Sequence, residues 1–301
     1  MIAVLNCTLL GMDLKSPVIL GSGTITERKE SIIEALKAGA GGAVTRTLRS
    51  NPQRESFIPN VFKEGDEYLL NADNQNLTPW DYWINTVKEI EHYGRLGISL
   101  SARMPSDCKT IPKAFEENIS PSFYEVNFSC PHSAILYGKI PYKNAIQSLR
   151  NLKEVTQKPV FLKFSVSNIN FTKLKEIEKE GLADGYVVSN SIGPGIRINI
   201  ETGKPVLKST YGGVSGKAIK PLVLAIVYQL RKITEKPIIG VGGIYTGRDV
   251  IEYLLAGASA TEIYTAAHVK GTKIFSTINN EIESILKNTG KSLSDFMAWK
   301  W

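Results

Sequence analysis

The sequence predicts an α/β protein, a (β/α)8 TIM barrel with long loops over its C-terminal mouth, on three observations. Eight short, β-branched apolar runs alternate with amphipathic stretches along almost the whole chain. Each run is continuously apolar rather than alternating, as parallel strands covered on both faces require. No linker or shift in composition divides the chain, so residues 1–301 read as a single domain, and 301 residues suit one such barrel. Repeated βα units imply a parallel sheet, and eight of them favour closure over an open doubly wound sheet.

The first candidate strand is PVILG (17–21). The segment ERKESIIEALKAG (27–39) follows it as a helix, with Ile32, Ile33, Leu36 and Ala40 on one face and a stop signal at Gly39. GAVTR (42–46) is the second strand and opens a long connection, 47–95. LGISLS (96–101) and FYEVNF (123–128) are the third and fourth strands. The helical pattern YKNAIQSLRNLKEVTQ (142–157) leads into PVFLKF (159–164), and FTKLKEIEKEG (171–181) leads into DGYVVS (184–189). A second long connection, 190–216, precedes the helix KPLVLAIVYQLRKITE (220–235) and the strand PIIGVG (237–242). TGRDVIEYLLAGA (246–258) and ATEIYT (260–265) complete the series. Loops after strands build the active site in this architecture, so the two long ones are expected to cover a ligand.

Composition narrows the function classes. Apolar residues at 43% and charged residues at 22% describe a globular chain with a sizeable core and exclude disorder. The formal charge of +7 comes from basic residues scattered without a dense block, so a nucleic-acid partner is not expected. The surplus instead suits an anionic small substrate and a phosphate-bearing cofactor. Three cysteines are too few for an iron–sulfur cluster or a structural zinc site, and they imply no disulfide framework. A reducing, cytoplasmic setting fits them. The start, MIAVLNCTLLGMDLKSP, is too short and too interrupted for a membrane span and lacks the features of a signal peptide.

Reactive residues gather where strands end. Arg46 ends the second strand, Asn127–Cys130 the fourth and Thr265 the eighth. Lys163 lies in the fifth, Asn190–Ser191 follow the sixth, and Gly242–Gly243 follow the seventh. A barrel brings all these ends to one face, which predicts an enzyme. The glycines after strand seven, the segment TAAHVKG after strand eight, and GGVSG (212–216) before a helix near Lys217 are each candidate phosphate cradles, although tight turns alone would also explain them. GSGTIT (21–26) lacks the third glycine of a dinucleotide fingerprint, so a phosphate here belongs to a mononucleotide. Cys130 stands in NFSCPH, among polar neighbours and before a proline, where a thiolate is useful; a lone cysteine is more often a small buried hydrophobe. Cys7 and Cys108 read as inert. Lys163 interrupts a buried run and must be paired or functional.

The segments LKSPVILGSG (14–23), VNFSCPH (126–132), LKFS (162–165), SNSIG (189–193), YGGVSGKAIKP (211–221) and GVGGI (240–244) together carry a resemblance. The chain resembles the class 1 dihydroorotate dehydrogenases across nearly its full length, and is also similar to the pyrimidine-reducing domain of dihydropyrimidine dehydrogenase. The resemblance implies FMN at the barrel mouth and oxidation of dihydroorotate to orotate in pyrimidine biosynthesis. It makes Cys130 the base at C5 of the pyrimidine, with hydride passing from C6 to flavin N5. It assigns the substrate to Asn71, Asn127, His132, Asn190, Ser191 and Arg46. It assigns the flavin and its phosphate to Ser22, Arg46, Thr47, Asn127, Lys163, Ser189, Gly216, Gly242, Gly243, Tyr264 and Thr265, with Lys163 beside N1/O2.

The chain departs from the family at four places: Arg46 where a lysine is usual, His132 where an asparagine is usual, NADNQNL (71–77) in the substrate loop, and Tyr264 where a small residue is usual. Two alternatives stay open, a reductase of uracil or thymine and a catalytically silent FMN barrel within a larger complex. A tRNA-dihydrouridine synthase is disfavoured because the segment is S-C-P rather than G-C-P. The electron acceptor is not legible: fumarate, a quinone, or NAD reached through a partner subunit carrying FAD and an iron–sulfur cluster, as in a subset of the family, all stay open, and a homodimer is the family's expectation.

Overall fold

Eight parallel strands close into a barrel in chain order: Val18–Leu20, Gly42–Val44, Arg95–Ser101, Phe123–Asn127, Val160–Phe164, Gly185–Val188, Ile238–Val241 and Ala260–Ile263. The structure, a computed structural model, describes residues 5–51, 58–65, 67–72, 78–119, 121–129 and 139–298. The last strand pairs with the first, Thr261 opposite Val18 and Ile263 opposite Leu20, which completes closure. Every strand expected from the sequence is present, most of them trimmed by a residue or two at the ends.

The helices form where an apolar stripe can lie on the barrel. Lys29–Lys37 buries Ile32, Ala35 and Leu36, and the chain leaves it through Gly39 at φ +107. Ile33, expected on the same face, is only half-buried. Tyr142–Lys153, Phe171–Lys179, Lys220–Arg231 and Gly247–Leu255 occupy the other anticipated places. Among the described residues five further α-helices have no counterpart in the sequence reading, and three of them are ten residues or longer. Tyr82–Glu91 hides inside the first long connection, and Asp107–Asn118 carries Pro112 in its interior. Ile274–Thr289 buries Ile274, Phe275, Ile278, Ile282 and Leu286, a clear helical period beyond the last strand. It packs so closely on Gly247 that a Cβ there would stand 2.7 Å from the Ile282 amide nitrogen.

The floor of the barrel is apolar. A hairpin, Cys7–Leu9 and Met12–Leu14, turns through Leu10 at φ +48 and Gly11 at φ +77, the two positive angles of a type I′ turn. Its Leu9, Met12 and Leu14 cluster with Ile19, Val44, Phe123, Phe161, Val187 and Ile239. Phe123 and Phe161 meet edge to face at 5.6 Å. Glycines make room for these rings: a Cβ on Gly97 would lie 2.3 Å from Phe123, and one on Gly185 would lie 2.5 Å from Phe161. Among the described residues no helix is long and apolar enough to cross a membrane.

At the mouth the two long connections meet. Val61–Glu64 and Tyr68–Asn71 from the first pair with Gly212–Ser215 and Ile192–Gly195 from the second, giving a four-stranded antiparallel sheet. Gly212–Ser215 is a strand paired on both sides, and after Gly216 a 3-10 helix begins at Lys217, where the sequence placed a helix start, and leads directly into Lys220–Arg231.

Candidate active site

Side chains two apart on a strand share a face, so inward positions can be followed upward from the floor. Above Phe123 come Glu125 and Asn127, above Phe161 comes Lys163, and above Ala260 come Glu262 and Tyr264. Lys163 Nζ donates to Glu262 Oε2 at 2.7 Å and to Glu125 Oε2 at 3.3 Å, with all three side chains buried. The lysine is therefore paired. Burial pulls its ammonium towards the neutral form, but the two carboxylates outweigh burial and hold its pKa above the ordinary value. Burial pushes the Glu125 carboxyl up to about 8; Lys163 pulls it back, and the charge of Glu262 pushes it further up. Neither glutamate was singled out from the sequence, although the signal that exposed Lys163, an ionisable residue inside a buried run, is equally present in FYEVNF and ATEIYT.

A string of hydrogen bonds rises from this cluster to the strand ends. Ser99 Oγ donates to Glu125 Oε1 at 3.4 Å and lies 3.0 Å from Thr47 Oγ1. Asn127 Nδ2 donates to Thr47 Oγ1 at 3.0 Å, and Asn190 Nδ2 donates to Asn127 Oδ1 at 3.2 Å. Asn190 also donates to the Ser129 carbonyl and accepts from the Ser191 amide at 2.8 Å, which fixes the orientation of its side chain.

These groups stand against a cavity of about 730 Å³, counted to its open mouth. Ser22, Asn71, Lys163, Ser189, Asn190 and Ser191 line it, as do Gly242, Gly243, Tyr264 and Thr265. The mouth sheet closes one side through Leu69, Asn71 and Ser215, so the long connections do wall the pocket. Thr265 Oγ1 meets Ser215 Oγ at 2.9 Å and ties the last strand to that sheet.

Other expected residues stand beside the cavity or apart from it. Thr47 and Asn127 reach it through Asn190. Arg46 Nη1 makes an ion pair with Glu27 Oε2 at 2.8 Å and is not among the lining residues. Gly216, at φ +97, stands behind the lining, its carbonyl 3.1 Å from where a Cβ of Gly243 would be. Gly242 and Gly243, at φ +145 and +66, owe their identity to packing as much as to the pocket, because a Cβ would strike Ile219 and Lys220. Cys130 and His132 lie outside the described residues, as do residues 73–77 of the substrate loop.

Tyr264 has a role the sequence did not disclose. Its ring fills the place where a Cβ of Gly23 would stand, at 2.1 Å, and its hydroxyl accepts from the Thr24 amide at 2.9 Å. The bulky residue at 264 and the glycine at 23 are thus one steric unit. Burial pushes the thiols of Cys7 and Cys108 up to about 11 and about 12, which keeps both protonated and unreactive, as expected.

The lining residues fit a flat heterocycle bearing a phosphate tail. Amides and hydroxyls in the lining offer both donors and acceptors, the Lys163 ammonium reaches it from the barrel, and small residues after the seventh strand join Thr265. The family described as Dihydroorotate dehydrogenase matches residues 4–286 of the chain. The chain is similar to three proteins named dihydroorotate dehydrogenase B (NAD(+)), catalytic subunit. That of Pyrococcus horikoshii is 34% identical over 292 residues, 96% of this chain and 95% of that one. That of Thermococcus kodakarensis is 33% identical over 294 residues, 97% and 96% of the two chains. That of Methanocaldococcus jannaschii is 30% identical over 302 residues, 98% and 97%.

Proposed function

This chain belongs to the dihydroorotate dehydrogenase family, and we propose that it oxidises dihydroorotate to orotate, a step of pyrimidine biosynthesis, with FMN seated in the mouth pocket. The observation that carries this reading is the convergence of Asn71, Lys163, Asn190 and Ser191, from two barrel strands and the mouth sheet, on one cavity.

Oxidation of a CH–CH bond removes a hydride and a proton. A flavin, when bound, supplies the hydride acceptor. The chain supplies the rest. The Asn71 amide can offer a donor and an acceptor to the edge of a pyrimidine ring, whereas Asn190 spends both N–H groups on Asn127 and Ser129 and accepts from Ser191, so it presents its carbonyl oxygen, held without reorganisation. Lys163 brings an ammonium to the pocket wall. The proton acceptor is Cys130, on the strength of its place in NFSCPH immediately after Ser129. Ser22, Gly242, Gly243 and Thr265 serve the flavin and its phosphate.

Residues 1–301 act as one FMN-binding unit at the core of a cytoplasmic homodimer. The relatives are named catalytic subunits, which supports a separate electron-transfer subunit as the onward acceptor; FAD and an iron–sulfur cluster on that subunit are what the family resemblance implies.

Anaerobic mixing with dihydroorotate, and separately with dihydrouracil, tests the reading. Bleaching of bound flavin by dihydroorotate alone is the expected result. Bleaching by dihydrouracil alone would move the chain to the pyrimidine reductases. A flavin that neither compound bleaches would mark a silent subunit.

A further inference from the structure

Among the described residues that line the pocket, Glu262 is the acidic one, and its Oε2 takes the hydrogen bond of Lys163. Behind it, Glu125 takes a second. One ammonium therefore meets two carboxyl groups, with all three side chains buried. With a proton shared between the carboxyls the cluster sums to zero; with both ionised it sums to minus one. In neither state does the barrel interior present a net positive charge.

Two further observations support the shared proton. Glu262 Oε1 is buried and finds no hydrogen-bond donor, an uncommon state for a carboxylate oxygen. Glu125 and Glu262 both face the Lys163 ammonium, at 3.3 and 2.7 Å, which brings the two carboxyls close enough for one proton to serve both. The string Asn190, Asn127, Thr47, Ser99 can donate in one direction throughout and ends on Glu125. A carboxyl that passes its own proton to Glu262 continues that order. The nearby cation Arg46 is likewise matched, by Glu27.

We propose that Glu262 is a positioning residue for the redox reaction: it anchors Lys163 at the pocket wall and cancels its charge, so that a flavin held there is harder to reduce than an uncompensated ammonium would make it. This rests on the flavin reading above. Charge beside the flavin ring tunes its reduction, and a carboxylate opposes the negative charge that reduction adds. Buried charges are screened little by salt, so the effect persists at physiological ionic strength. A flavin that is harder to reduce is also the better donor to the next carrier.

Glu262→Gln tests this in the FMN-loaded full chain, because it keeps the shape and an acceptor for Lys163 while removing the charge. The readout is the midpoint potential, from anaerobic reductive titration against an indicator dye, which needs no dihydroorotate. The expected shift favours reduced flavin by about tenfold, or about 30 mV upward for a two-electron couple. Glu262→Ala removes the same charge and decides the matter if Glu262→Gln fails to hold FMN, while Glu125→Gln, in place of a carboxyl that is already protonated, leaves the potential where it is; a shift there overturns the assignment of the charge to Glu262. An unchanged or lowered potential in the Glu262 variants overturns the proposal. Wild-type protein that takes up no FMN overturns the flavin reading and this inference together. Wild-type FMN that dihydroorotate leaves unbleached overturns the substrate alone, and the dye titration still decides.

Discussion

The floor and the mouth of this barrel are built on the same strands by opposite rules. At the floor Phe123 and Phe161 meet edge to face, and Gly97 and Gly185 are held to glycine by those rings. Two residues further along, the same strands turn Glu125 and Lys163 inward, and Glu262 completes the cluster from across the barrel. Two residues advance a strand by only about 6.6 Å, so close apolar packing gives way to buried ions within one layer. The floor stabilises the fold through removed apolar area and density. The mouth layer carries a desolvation cost that its own pairing merely offsets. What it contributes is a charged, hydrogen-bonded wall for the pocket.

Lys163→Ala should break the contrast most severely. It leaves two carboxyl groups without their cation, which costs about 3–5 kcal/mol of stability, and it should also abolish bleaching by dihydroorotate. Urea denaturation and anaerobic spectroscopy read the two losses separately. Phe161→Ala, one layer below, should cost a similar 3–5 kcal/mol or so through the cavity it opens. Its folded fraction should nevertheless bleach normally; loss of bleaching there would show that the two layers do not act apart. The combination Glu125→Leu, Lys163→Met and Glu262→Leu sharpens the comparison. Stability should hold or rise by about 1–4 kcal/mol while flavin reduction disappears. A triple variant as unstable as Lys163→Ala would mean that the ions hold the barrel together.

The smallest effect is a pH dependence carried by Glu125. Burial raises its carboxyl from the ordinary 4.5 to about 8 in the folded protein. The folded state therefore binds a proton that the unfolded chain has released, and stability from this group is complete below about 4.5 and lost as pH rises through about 8. Glu125→Gln should flatten that part of the profile of urea midpoint against pH. An unaltered slope would take the proton away from Glu125.

Much of this was legible in the chain, and the misses share a cause. Lys163 was marked because a charge inside VFLKF is conspicuous, yet Glu125 and Glu262 passed unmarked in runs of the same kind. Tyr264 could be seen as large but not as the occupant of the space beside Gly23, 241 positions earlier. The glycines at 242 and 243 read equally as a phosphate cradle or as a tight turn, whereas the crowding of Ile219 and Lys220 that also demands them leaves no trace in the sequence.

The sequence by itself determined the eight strands, their order, the apolar faces of five of the helices, and the two connections that would wall the mouth. All of these are local: period, run length and breakers act over a few residues and leave a readable trace. Only the tertiary structure decided which charges meet. Lys163 finds its partners 38 and 99 residues away, and the mouth sheet joins segments from opposite sides of the barrel. Such contacts depend on closure and on which side chains point inward at the same height, and a linear pattern records neither.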